Sequence, residues 1–315
     1  MSVRIGLAFG PFPFSGPKAF WRWVDACEES EVDSIFLPDR IVGSSAPPET
    51  LATLAAIAGR TTRLKIGSAV LVLPARDPVL LAKECATIDL LSEGRFLPMF
   101  GIGEEFVPEW EAMGLNRRNR GARANEMLEV MTALWTRDQV DYDGNHYKLR
   151  DVTITPKPAQ SPLPFWIGGR SAAAIERTAR YGYGWLGGST SMPAEMGRIA
   201  EAIRKRAREL GRPIQDDHYG IGFNFRFGTW DEPAVRAIIQ ANQARMGSID
   251  PDQYMAVGDA ETILGRIAEF RAHGISKFVL RPIAGSDEEM IEQSLRLSRE
   301  VIPRAEQMAD SSSIS

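Results

Sequence analysis

The chain has 315 residues, a formal net charge of −4 and an apolar share of 44%. That length suits one large α/β unit or two smaller domains, and the composition suits a sizeable core. A mild negative balance with mixed signs gives no reason to expect nucleic acid or an anionic membrane as partner. Two cysteines, Cys27 and Cys85, both in helix-like segments, leave no basis for a disulfide framework or a thiolate metal site.

Strand and helix patterns alternate along the chain. "VRIGLAFG" (3–10) reads as a strand and "KAFWRWVDACEES" (18–30) as a helix. "SIFLPD" (34–39) is a second strand, and "PPETLATLAAIAGRT" (47–61) a helix opened by proline. "RLKIGSAVLVL" (63–73) is a third strand, and "DPVLLAKECATIDLLS" (77–92) a helix with an Asp cap. "GRFLPMFGIG" (94–103) and "NRGARANEMLEVMTALW" (119–135) make the fourth strand and helix.

The rhythm then breaks. "VDYDGNHYKL" (140–149) alternates around Asp143-Gly144, a hairpin signal, and "TPKPAQSPLP" (155–164) reads as an extended Pro-rich connector. Alternation resumes with "FWIGG", the helix "SAAAIERTARY" (171–181), the strand "YGWLGG" (183–188) and the helix 193–210. The basic run "IRKRAREL" within it has helical spacing and reads as a solvated face. The strand "HYGIGFNFRFGTW" (218–230), helices over 232–245 and 259–274, the strand "KFVLRPI" (277–283) and a helix over 286–302 follow. Eight strands each followed by helix predict an α/β (β/α)₈ TIM barrel, with a doubly wound open sheet as the alternative. The hairpin and connector form an insertion between units four and five. A single domain spans 1–305, and the polar "ADSSSIS" ends a tail over 306–315. No apolar run is long enough to cross a bilayer and the start enters a strand without a signal-type segment, so a cytoplasmic location is expected.

Barrel chemistry lies where the strands end. Those ends carry Asp39-Arg40, Ser68-Ala69-Val70, Gly101-Ile102-Gly103-Glu104-Glu105, Gly168-Gly169-Arg170-Ser171, Gly187-Gly188-Ser189, Asn224 and Arg226, and Arg281. Asp39 and Arg40 are candidate contacts to cofactor or substrate. Glu104 and Glu105 read either as an acidic helix start or as carboxylates that orient or protonate a substrate. Gly168-Gly169-Arg170-Ser171, with strand before and helix after, reads as a phosphate seat: glycines permit close approach, helix amides point outward, and Arg170 adds charge. The bland reading is a tight corner. His146, His218 and His273 are scattered, so no metal is expected, and no nucleophile elbow occurs. A phosphate seat among small residues, without a nucleophile or metal, predicts a bound cofactor that carries the reaction. Trp21 and Trp23 read as core. Phe12 and Phe14 read as core or as walls of a substrate pocket.

Several segments resemble the bacterial luciferase-like flavin and deazaflavin oxidoreductases: "LKIGSAVLVLPARDPVLLAKECATIDLLSEGRFLPMFGIG", "NRGARANEMLEVMTALW", "VDYDGNHY", "PKPAQSPLPFWIGGRSAAAIERTARYGYGW" and "FVLRP". They occur in the family's order and cover roughly 3–305, and the wording is closer to the deazaflavin branch than to luciferase itself. The resemblance implies a barrel with an insertion between units four and five, and coenzyme F420, a deazaflavin, or alternatively FMN at the strand ends. It implies a non-proline cis peptide at Ala69–Val70 behind the cofactor ring, and cofactor contacts from Ile167, Gly168, Gly169, Arg170 and Ser171, with Asp39, Ser68, Gly101, Gly103 and Glu104 nearby. That branch often carries Asp-His after strand two, where this chain has Asp39-Arg40. Arg40 then holds an anionic group, and Glu104 or Glu105 protonates product. Expected partners are a small-molecule substrate near Phe12, Phe14, Asn224, Arg226 and Arg281, a second copy in a homodimer, and a separate flavin or F420 reductase. Three activities follow: F420-dependent hydride transfer, FMN-dependent oxygenation, or non-catalytic flavin binding.

Overall fold

A computed structural model describes residues 3–43, 46–105 and 107–308. Four early segments build the first half of a parallel wall: β1 (Arg4–Ala8), β2 (Ser34–Leu37), β3 (Lys65–Ser68) with its continuation β4 (Leu71–Val72), and β5 (Phe96–Leu97) with its continuation β6 (Met99–Gly101). The intervening helices are α1 (Pro17–Glu28), α2 (Thr50–Arg60) and α3 (Pro78–Leu91). The third strand divides at a cis peptide between Ala69 and Val70, as expected from the resemblance. α2 starts later than its prolines suggested: its cap is Glu49, whose carboxylate accepts from the Ala52 amide at 2.7 Å.

A short helix α4 (Glu109–Ala112) and the long α5 (Arg120–Thr136) lead to the hairpin β7 (Val140–Asp143) and β8 (Lys148–Val152), paired antiparallel. The hairpin docks on α5 through Glu126, whose carboxylate accepts from the amides of Asn145, His146 and Tyr147 at 3.0, 2.8 and 3.1 Å. Those bonds hold the Glu126 carboxyl below its usual range although burial pushes the other way. The connector, expected to run extended, bends instead, with cis bonds at Thr155–Pro156 and Ser161–Pro162.

The wall continues with β9 (Trp166–Gly168), α6 (Ala172–Tyr181), β10 (Gly184–Leu186), α7 (Pro193–Glu209), and a seventh strand in two pieces, β11 (Tyr219–Ile221) and β12 (Asn224–Phe227). After α8 (Pro233–Met246) comes β13 (Met255–Gly258), a strand with no counterpart in the sequence reading. It lies parallel to β12, Asn224 opposite Met255. α9 (Ala260–Arg271), β14 (Lys277–Pro282), α10 (Asp287–Arg296), a π-helical turn (Leu297–Val301) and α11 (Ile302–Gln307) complete the chain. The expected tail therefore begins inside α11, and its residues from 309 lie outside those described.

The ladder runs β4-β6-β9-β10-β11-β14-β1-β2-β3-β5. Its two ends meet along strands three and four, where β3 pairs with β5 and β4 pairs with β6, so the wall closes into a barrel. Ala8, Phe36, Met99, Trp166, Leu186 and Val279, from six strands, fill the lumen. The helices bury their apolar faces outside it; Trp23 of α1 is fully buried and donates from Nε1 to Ser294 Oγ at 2.9 Å. Among the described residues no helix is long and apolar enough to cross a membrane.

Candidate functional site

All wall strands are parallel, so their carboxyl ends share one face. At the end of β2, Asp39 was expected to face a ligand. Its side chain is only 2% exposed and its carboxylate meets four donors. Thr50 Oγ1 donates at 3.1 Å, the Val72 amide at 2.8 Å, and Arg76 through Nη1 and Nη2 at 2.7 and 2.8 Å. Arg76 reaches Glu49 as well, at 3.2 Å. Burial disfavours the Arg76 charge, and these carboxylates more than offset it, leaving its pKa above the ordinary guanidinium value. The cluster ties the loop after β2 to β4 across the broken third strand.

Ser68 was also expected to face a ligand. It is fully buried, donating to Met99 O at 2.9 Å and accepting from Met99 N at 3.0 Å, so it bridges strands three and four within the wall. Ala69 and Val70 are half-buried. Val70 projects between two glycines: a Cβ built on Gly101 would lie 2.8 Å from Val70 Cγ2, and one on Gly168 would lie 3.2 Å from Val70 Cγ1. The ends of strands four and five thus lack side chains where the Val70 bulge stands. Gly103, with φ +72°, packs against Val72 and Trp110.

The Gly-Gly-Arg-Ser corner is exposed at Gly169, Arg170 and Ser171, and Ile167 below it is buried. Gly169 has φ +117°, a conformation an L side chain rarely adopts. Its carbonyl accepts from Trp185 Nε1 at 2.7 Å. Ser171 caps α6, its Oγ accepting from the Ala174 amide at 3.2 Å. The earlier helix amides have no intrahelical acceptor and carry the positive end of the helix dipole. Arg170 lies 3.5 Å from Glu195 and stays largely in solvent. The corner is open and donor-rich, which fits a phosphorylated ligand.

Glu104 and Glu105 are exposed in the loop after β6 and do not open a helix, since α4 starts at Glu109. The Glu104 carbonyl accepts from Trp110 Nε1 at 3.0 Å. Glu109, absent from the sequence candidates, is the buried carboxylate here. It pairs with Arg40 Nη1 at 3.3 Å and accepts from the Ile41 amide at 3.3 Å. The pair joins the mouths of strands two and four, with the Arg40 side chain 46% exposed. Its only sequence signal was a carboxylate after Pro108 in a short acidic turn.

Arg226, a substrate candidate, is instead a buried clamp. Its guanidinium bonds Glu289 at 2.7 Å, the Ile283 carbonyl at 2.9 Å, and Glu232. Bonds to Glu289 lead in raising its pKa, against a smaller opposing effect of burial. Asn224 is half-buried opposite Arg281, whose guanidinium lies over Gly222. Phe14 is buried and Phe12 half-buried in a ring cluster with Phe9, Phe20 and Trp23; the Phe12 and Phe14 centroids are 5.2 Å apart. Phe14 is thereby core. Cys27 and Cys85 are buried in helices, and burial pushes both thiols far up. Among the described residues no His, Cys, Asp and Glu cluster could hold a metal.

A profile of the family described as luciferase-like monooxygenase matches residues 13–299. An F420-dependent glucose-6-phosphate dehydrogenase of Kribbella flavida is 28% identical over 309 residues, 94% of this chain and 89% of that enzyme. A Mycobacterium tuberculosis protein is 34% identical over 165 residues, 52% of this chain and 56% of that protein, so the chain spans about half the length of the first curated relatives it matches. Among solved structures, an F420-dependent secondary alcohol dehydrogenase in complex with an F420-acetone adduct superposes with TM-score 0.82 at 18% identity, over 96% of this chain and 98% of that one. The oxygenating constituent of 3,6-diketocamphane monooxygenase of Pseudomonas putida, in complex with FMN, superposes with TM-score 0.81 at 17% identity, over 96% and 99%. These likenesses bear out the barrel, and the profile decides the rest: the chain belongs to the luciferase-like monooxygenase family.

Proposed function

We propose that this chain is an F420-dependent oxidoreductase that transfers hydride between the cofactor and a small organic substrate carrying an anionic group. The observation that carries it is the Val70 bulge, flanked by Gly101 and Gly168, beside the open amino end of α6. A flat ring system needs a smooth apolar backing and its phosphate needs free amides, and these features supply both. When bound, the deazaflavin supplies the hydride from its central ring carbon.

The chain's own groups do the rest. Gly168, Gly169 and Ser171 seat the phosphate, with Arg170 as the nearby charge. Asp39 positions the wall and does not react, because its carboxylate is engaged by four donors. Glu109 holds Arg40, which orients the anionic group of the substrate. Glu104 or Glu105, in solvent at the end of strand four, moves the proton that balances hydride transfer. Relatives named as F420-dependent dehydrogenases support this reading. α3 leaves Leu80, Leu90 and Leu91 exposed at 58, 44 and 56%, which supports a homodimer.

FMN-dependent oxygenation, fed by a separate reductase, is the second reading, favoured by the FMN-bound structural neighbour. Titration of the purified protein with F420 and with FMN, followed by absorbance and fluorescence, separates the two. Anaerobic turnover with reduced F420 supports the first. Strict dioxygen dependence with reduced FMN replaces it with the second, and tight binding without any turnover leaves a flavin-binding protein.

A further inference from the structure

The barrel has a second polar end. In sheet order β14, β1, β2, β3 and β5, the strands start at Lys277, Arg4, Ser34, Lys65 and Phe96, with Asp33 just before β2 and Arg95 just before β5. Five adjacent strands therefore present charge at the amino face, opposite the mouth described above. Between them lies a cavity of about 150 Å³, lined also by Gln160, Trp166, Asp217 and His218.

Its charges do not balance: four cations, Arg4, Lys65, Arg95 and Lys277, face two carboxylates, Asp33 and Asp217. Lys277 is the deepest, its side chain 6% exposed, bonded to Asp33 and donating to Ser34 Oγ at 2.7 Å. That leaves one of its three N–H bonds for another acceptor. Lys65 approaches Asp33 only to 3.8 Å, and Arg4 meets Asp217 through one nitrogen at 3.3 Å. Arg95 is different: its terminal nitrogens bond Ala58 and Thr61 at the end of α2 and the Leu64 carbonyl just before β3, so it contributes charge but few donors. His218 Nδ1 lies 2.7 Å from the Tyr183 carbonyl, and its Nε2 is 3.8 Å from Asp217.

We infer that this floor cavity binds a small tetrahedral oxyanion, inorganic phosphate or a terminal phosphoryl group, held by Arg4, Lys65 and Lys277. A ligand with two negative charges matches the uncompensated pair, and three donors from separate strands converge on a space that admits a few heavy atoms. Bound there, it would pin the amino ends of three strands, and so stabilise the barrel without touching the chemistry at the other end. This inference stands independently of the cofactor assignment.

The test is thermal unfolding of the intact protein titrated with phosphate against chloride at matched ionic strength. Because the α6 corner is the proposed seat of the cofactor phosphate, Ser171→Ala is run beside Arg4→Ala/Lys65→Ala, whose side chains are 42 and 45% exposed. The expected result is a saturable rise in Tm that survives Ser171→Ala and weakens at least tenfold in apparent affinity in the floor variant. Lys65→Gln alone, with its fold checked by circular dichroism, should weaken it severalfold. Glycerol 3-phosphate distinguishes the sources: equal effect means the floor takes a phosphoryl group on a larger molecule, and no effect means free phosphate. No saturable rise in the wild type, or one lost in Ser171→Ala and kept in the floor variants, overturns the inference.

Discussion

Arg76 grips Asp39 through two parallel N–H···O bonds of 2.7 and 2.8 Å, across the break in the third strand. The two side chains are 11 and 2% exposed, so the pair is nearly dry. Removing one member of such a pair strands the other charge. Arg76→Ala should cost about 3 kcal/mol of unfolding free energy by urea denaturation. Arg76→Lys should recover less than half of it, since an ammonium cannot make the paired bonds. Asp39→Asn should lose stability and cofactor affinity together. A stable Asp39→Asn protein that binds cofactor but is dead in turnover would return Asp39 to the chemistry.

Val70 and Gly101 should be coupled. Gly101→Ala places a methyl 2.8 Å from Val70 Cγ2 and should weaken cofactor binding about tenfold. Val70→Ala makes room, so the double variant should bind better than the sum of the single effects predicts. Dissociation constants for the four proteins measure the interaction; strict additivity would show that Val70 does not fill that space.

The corner at the start of α6 separates its parts. Ser171→Ala removes a cap, worth about 1 kcal/mol of stability. Gly169→Ala forces a side chain into φ +117° and brings its Cβ to 3.0 Å from Ala174 Cβ, costing about 1–2 kcal/mol. Both should weaken a phosphorylated flavin more than the same ring without phosphate. Equal losses for lumiflavin and FMN would move the phosphate elsewhere.

Stability should fall in acid through Asp33. Burial alone would raise its pKa, but Lys277, Lys65 and Ser34 outweigh it and bring it down to about 2. A folded pKa below the unfolded value of about 3.9 means that the contribution is present above that value and is lost as pH falls towards 2. Asp33→Asn should flatten the unfolding free energy between pH 4 and pH 2, in denaturant titrations, by about 2 kcal/mol. An unchanged slope would show that Asp33 does not hold its partners in the folded state.

Much of the fold is written in local chemistry. Asp77, Ser171 and Asp259 each cap the helix expected of them, with side-chain oxygens about 3 Å from amides two or three residues on. Asp143-Gly144 marks the hairpin turn, where the Gly144 amide bonds Tyr147 O at 3.0 Å. The β13 strand was missed because "MAVG" is too short to show a period and exists only as a neighbour of β12.

Most of the order of strands and helices, the caps at Asp77, Ser171 and Asp259 and the glycine corner could be read along the chain, because each depends on residues within a turn or two of one another. The partners of the charged groups could not. Asp39 meets Arg76 from 37 positions away, Arg40 meets Glu109 from 69, and Arg226 meets Glu289 from 63. At the level of sequence all are charged residues near strand ends; burial beside a particular opposite charge makes some of them braces and leaves others at the mouth. A barrel brings distant strand ends onto one rim, and that convergence is a property of the closed wall, absent from any short stretch of it.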